Sequence, residues 1–402
     1  METVIDRFLR YVSFDTQSDH ESETTPSTDK QKALARQLVK ELLDMGVKNA
    51  RMDEYGYVYA SIPANVDGVP SLGFIAHMDT SPDAPGANIV PRIVANYDGG
   101  DIQLNGSTVL SSRDYPRLAK YAGTDMIVTD GTTLLGADDK AGIAEIMTLA
   151  AILAVDPTIE HGEICIAFTP DEEVGRGTDK FDVEGFGAQF AYTVDGGELG
   201  TIEYENFNAA TAKVRVRGLG IHPGGAKNHL INSIHVAKEF DAMLPAAQRP
   251  EYTEGYEGFI HLTSIEGDIE STSMSYIIRD HDMDKFRAKK ALMEKAAEII
   301  NLRYGEVLQL AITDSYFNMR EMIEPHMGLI TSVQDIMRDL GITPITTPVR
   351  GGTDGARLSF MGLPCPNICT GGMNYHGRYE CIPVQSMEKV CDVLLEIVRR
   401  FR

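Results

Sequence analysis

The chain has 402 residues, of which 43% are hydrophobic and 24% charged, an ordinary globular usage that argues against disorder and against a fibrous architecture. Fifty-nine acidic against 37 basic residues leave a net charge of −22, which repels phosphate backbones and acidic membrane surfaces and excludes nucleic acid as an expected partner. The length favours two domains, and no apolar run approaches the roughly 20 residues a membrane-spanning helix needs, so the expected compartment is the cytoplasm.

In chain order, the opening METVIDRFLRYVSFDTQ places Val4, Ile5, Phe8, Leu9 and Val12 on one helical stripe, which reads as an amphipathic helix rather than a signal peptide. Thr28-x-x-Gln31 matches a capping box, and Leu34, Leu38 and Leu42 follow at helical spacing. Leu72 to Ala76, Glu163 to Thr169 and Phe190 to Val194 are short, apolar and followed by polar or glycine-rich turns, the pattern of buried strands. Helical and strand patterns alternate, which predicts an α/β domain with a mostly parallel central sheet.

From about Asn208 the texture changes. Ala212, Val214 and Val216 alternate with Lys213, Arg215 and Arg217, a strand with one face in water. The segment 208–317 then runs strand (208–218), helix (about 229–243), strand (about 257–266), strand (270–279), helix (about 284–301), strand (306–316). That is the β-α-β-β-α-β order of a ferredoxin-like α+β domain. Helical texture returns at Ser332 to Leu340, and a strand near Pro366–Cys369 and a last helix from Ser386 lead back to the first domain. The expected organisation is therefore one domain of 1–207 and 318–402 interrupted by an insertion of 208–317.

The five cysteines, Cys165, Cys365, Cys369, Cys381 and Cys391, are odd in number and lack a CxxC spacing, which suits free thiols in a reducing compartment. The chemistry gathers elsewhere. In α/β sheets ligands collect at the carboxyl ends of strands, and five such ends are predicted to carry His, Asp or Glu. They are His77-Met-Asp79 after Leu72–Ala76, Ala137-Asp138-Asp139 after Thr132–Gly136, and Asp171-Glu172-Glu173 after Glu163–Thr169. Asp195-Gly-Gly follows Phe190–Val194, and Gly-Gly-Met-Asn374-Tyr-His376 follows Pro366–Cys369. Each motif alone is weak, but five in succession form a set of imidazoles and carboxylates that suits zinc, cobalt or manganese.

His77-x-Asp79, Gly136-Ala-Asp138-Asp-Lys-Ala-Gly142, Asp171-Glu-Glu173, Asp195-Gly-Gly197 and the late His376 resemble, in order, the five-part signature of the two-zinc aminoacylase and carboxypeptidase superfamily. Longer stretches such as TLLGADDKAGIAEIM and TGGMNYHGRYE are similar to its tripeptide aminopeptidases over essentially the whole chain. The resemblance implies a zinc-exopeptidase-like catalytic domain with an inserted lid or dimerisation domain, two Zn2+ per subunit (Co2+ or Mn2+ being possible), peptide substrates and a homodimer. It implies that Asp138 bridges the two ions, His77 and Asp195 completing one and Glu173 and His376 the other. Asp79 would orient His77 through its carboxylate, Glu172 would act as general base, and Asp139 would cap the helix beginning at Lys140. His222, Arg279, Arg350 and Asn374 would contact substrate. The same frame serves dipeptidases, carboxypeptidases and N-acyl-amino-acid amidohydrolases, which remain the alternatives.

Overall fold

The computed structural model describes residues 2–401, which fall into two compact units. The larger comprises the chain up to Tyr204, Glu321–Thr347 and everything from Thr353; the smaller comprises Glu205–Arg320 with Pro348–Gly352.

Uninterrupted apolar strands need cover on both faces, and the larger unit buries them in the middle of an eight-stranded sheet. The strands lie in the order Arg51–Met52, Val58–Ile62, Ile164–Thr169, Leu72–His77, Phe190–Gly196, Asn367–Cys369, Thr201–Glu203, Ile345–Thr346. The central four are parallel to one another, and His77 stands beside Thr169, so their carboxyl ends share one rim. The helix Ala137–Val155 packs on this sheet and is apolar nearly all round, with Ile143, Ile146, Met147 and Ala150 buried. No helix among the described residues is long and apolar enough to cross a membrane. All five cysteines are buried free thiols.

The smaller unit has the expected alternation. Its antiparallel sheet runs Phe259–Gly267, Ser271–Asp280, Asn208–Arg217, Leu308–Tyr316, the strand order of a ferredoxin-like fold. Val214, Val216, Tyr276 and Ile278 point into a core with Phe240, Phe286, Met293 and Ile300 from the helices Ser233–Ala242 and Met283–Tyr304. The first of these helices begins at Ser233 rather than near 229 because the Asn232 side chain accepts from the N–H groups of Ile234 and His235 and caps it there.

Two local expectations fail for one reason, the demand of buried polar groups for partners. No capping box forms at Thr28 and Gln31: Thr28 Oγ1 donates to the Gln17 carbonyl, and Gln31 Nε2 turns to the buried Asp171 carboxylate at 2.8 Å. The residues 132–136 form no strand. Leu134 N–H donates to the Pro85 carbonyl and Leu135 N–H to the Glu380 carboxylate, so the segment is a pinned loop despite its apolar content.

Candidate metal centre

The rim of the parallel sheet gathers the predicted groups. His77 ends its strand, and its Nδ1 lies 3.0 Å from the Asp79 backbone carbonyl against 3.4 Å from the Asp79 carboxylate. The main-chain oxygen, rather than the expected side chain, is thus the nearer acceptor for the ring N–H. That leaves Nε2 facing Asp138 Oδ1 at 2.8 Å and Asp195 Oδ1 at 3.5 Å. The Asp79 carboxylate has other work: it accepts the N–H groups of Glu172 (3.0 Å) and Glu173 (3.2 Å), fixing the turn that carries both.

On the other side, His376 Nε2 lies 3.2 Å from Asp138 Oδ2 and 3.0 Å from Glu173 Oε2. Its Nδ1 lies 3.4 Å from Asp83, a carboxylate that sequence reasoning did not single out. Two groups of candidate ligands result, His77 with Asp138 and Asp195, and Asp138 with Glu173 and His376, the donor atoms of each lying within 4.8 Å of one another. Asp138 belongs to both and turns a different oxygen to each imidazole.

Asp139 is not a member. Its Oδ2 accepts the His77 N–H at 3.1 Å and its Oδ1 the Gly142 N–H at 3.3 Å, the contact of a helix N-cap, while Asp138 and Asp139 themselves have non-helical backbone angles.

The electrostatics are those of a site that lacks positive charge. Burial, with Asp138 alongside, pushes Glu173 up to about 8, and burial pushes Asp195 up to about 6. Burial alone would depress the His77 imidazolium, but Asp195, Asp138 and Asp79 outweigh it and hold it well above its ordinary value. Hydrogen bonds to Asp138 and Glu173 raise His376 to about 11. Glu173 Oε1 is buried without a partner. Three carboxylates and two imidazoles that together favour added positive charge, with an unsatisfied carboxylate oxygen among them, fit two divalent cations.

Glu172 stands beside this set. Its N–H is held by Asp79, and burial together with Asp195, Asp354 and Glu173 keeps its carboxyl well above the usual range. Asp354 begins the helix Asp354–Phe360, is buried, accepts from Thr169 Oγ1 at 2.8 Å, and is pushed up to about 7 by burial. A Cβ on Gly177 would lie 2.2 Å from its Oδ1, so a side chain there would have to displace that carboxyl. Asn374 Nδ2 donates to the Tyr379 carbonyl, bracing the loop that presents His376.

The other expected substrate residues lie in the smaller unit. His222 is exposed, and its Nδ1 accepts the Gly224 N–H at 3.1 Å, which places the ring proton on Nε2. Arg279 lies over the Tyr316 ring and donates to the carbonyls of Ile278 and Ala210; no carboxylate among the described residues pairs with it. Arg350 donates to the carbonyls of Gly255 and Glu257 and to Thr253 Oγ1, and stacks over Phe207. Much of its donor capacity is thus used within its own unit.

Residues 128–400 match the family model described as Peptidase family M20/M25/M40. A curated relative, peptidase T of Alkaliphilus oremlandii, is 56% identical with all of both chains covered. Among solved structures, aminopeptidase PepT from Bacillus cereus superposes with a TM-score of 0.79 at 24% identity, covering 98% of this chain and 97% of that one. A dinuclear metal binding peptidase of family M20 from Bacillus subtilis superposes with a TM-score of 0.66 at 13% identity, covering 98% and 96%.

Proposed function

The chain belongs to peptidase family M20/M25/M40, and from that premise we propose that it is a two-metal aminopeptidase releasing the N-terminal residue of tripeptides. The observation that carries the metal assignment is the sharing of Asp138, whose Oδ1 faces His77 and whose Oδ2 faces His376. A carboxylate with one oxygen in each group suits two ions held a few ångströms apart. In this reading His77, Asp138 and Asp195 would hold one ion, and Asp138, Glu173 and His376 the other. Zinc is the metal we assign, the donor set being equally suited to cobalt or manganese. Bound there, the ions would polarise the scissile carbonyl and acidify water at the site.

The chain's own groups do the rest. Glu172 is held by its backbone N–H, and beside bound cations its raised carboxyl would fall toward the ionised form that a base needs. It takes a proton from the attacking water as the oxygen bonds to the carbonyl carbon, and returns that proton to the amine nitrogen as the C–N bond breaks. The Asp79 carboxylate keeps Glu172 and Glu173 apart in role by fixing both backbone N–H groups. We assign the Arg279 guanidinium, with which no carboxylate among the described residues pairs, to the substrate carboxylate, and the His222 Nε2–H to the developing oxyanion. The tripeptide preference rests on the full-length likeness to peptidase T.

The test is Glu172→Gln. It should keep its metal content and lose about 10²–10⁴ in kcat on Ala-Ala-Ala, as removal of a general acid-base does. Undiminished turnover would overturn the assignment, and preferential cleavage of Ala-Ala or N-acetyl-alanine by the wild type would overturn the substrate class.

A further inference from the structure

We infer that Glu380 is a positioning residue that fixes the bridging carboxylate, and through it sets the affinity for both metal ions together; this rests on the ligand assignment proposed above. Asp138 projects from a loop with no sheet to hold it, and a ligand shared by two ions has to be placed more accurately than one serving a single ion. The loop's buried N–H groups need acceptors. Glu380 accepts from three of them: its Oε2 from Leu135 (2.7 Å) and Gly136 (2.9 Å), and its Oε1 from Asp138 itself (3.0 Å). Gly136, at φ 76, makes the left-handed turn that lets successive N–H groups converge on one carboxylate.

Glu380 is itself immobile. It is 1% exposed, its N–H donates to the Gly377 carbonyl, and the next residues, Cys381–Pro383, pair antiparallel with Met126–Val128. It also follows His376 by one short turn, so a single segment presents a ligand at one end and a clamp for the bridging ligand at the other. A shift of the Asp138 backbone would move both its oxygens at once, and each candidate group depends on one of them.

A glutamine at this position keeps a single acceptor oxygen and turns an NH2 toward backbone donors, so it cannot satisfy both sides of the clamp. Wild-type, Glu380→Gln and His376→Ala proteins are stripped of metal and titrated with Zn2+ against a chromophoric chelator, and with Co2+ followed by its visible absorption. Glu380→Gln should weaken both binding steps by about 10–100-fold, the usual cost of losing an outer-sphere partner. It should also alter the Co2+ spectrum, whereas His376→Ala should weaken one step. Wild-type affinities and spectrum in Glu380→Gln would overturn the inference, as would weakening of one step only, or a lowered melting temperature of the metal-free protein with unchanged affinity. Should Glu380→Gln not fold, Glu380→Asp, a carboxylate on a shorter arm, is read in the same way. A wild type that takes up no metal would instead refute the ligand assignment.

Discussion

The rim of the parallel sheet and the inserted unit treat their functional side chains in opposite ways. At the rim, buried carboxylates are committed to backbone N–H groups: Asp79 holds the turn at Glu172 and Glu173, Glu380 the loop at Asp138, and Asp139 the end of the strand at His77. Asp171, left-handed at φ 60, accepts from both Ser27 N–H and Ser27 Oγ. The candidate ligands His77, Asp138 and Glu173 thus stand on main chain fixed by a second carboxylate. In the inserted unit the candidate groups are cations on carbonyls and aromatic rings, and His222 is in solvent. The contrast teaches that geometry demanded to fractions of an ångström is secured by buried charge, whereas the cations of the inserted unit rest on carbonyls and rings.

The sharpest way to break the contrast is packing. Gly142 lies where a Cβ would come within 1.9 Å of the Val194 carbonyl oxygen, beneath the rim, whereas Gly351 of the inserted unit has nothing within 4 Å. Gly142→Ala should cost about 3 kcal/mol of unfolding free energy by overpacking, and Gly351→Ala should stay within about 0.5 kcal/mol. Denaturant melts of the two variants check this, and equal losses would erase the distinction.

A smaller effect concerns Glu145, in the buried helix behind the rim, whose two oxygens have no partner and whose carboxyl burial holds well above its ordinary value. The raised value means that the folded chain keeps a proton there which the unfolded chain releases near pH 4.5. Stability contributed by this group is therefore full below that pH and is lost as pH rises toward the folded value, by up to about 1.4 kcal/mol per pH unit. Glu145→Gln, neutral throughout, should gain on the wild type between pH 5 and 8 in paired thermal melts; parallel curves would show that Glu145 is charged in the fold.

Much of the rim was legible because strand burial and strand ends are local features. Leu72–His77 and Phe190–Gly196 are apolar runs, and each carries a ligand candidate, His77 or Asp195, at its carboxyl end. Local pattern misled where it competed with a distant partner. Leu134 and Leu135 look like strand residues, yet the Leu134 N–H answers to the Pro85 carbonyl and the Leu135 N–H to a carboxylate 245 residues away. Gln31 looks like a cap and serves Asp171, 140 residues on. Glu380 ends the stretch TGGMNYHGRYE, yet no local pattern gave it or Asp354 a role, since one acidic residue among 59 is ordinarily surface. The change in alternation at Asn208 falls close to Glu205, where the smaller unit begins, but nothing local marked Pro348–Gly352, which joins that unit from far along the chain.

The central claim is that one carboxylate serves two ions, and counting metal is its most direct test. After stripping and reconstitution with Zn2+, the wild type should hold two ions per chain, His77→Ala and His376→Ala one each, and Asp138→Ala none at the same free metal concentration, with Asp139→Ala keeping both. Two ions retained by Asp138→Ala, or their loss from Asp139→Ala alone, would contradict the account.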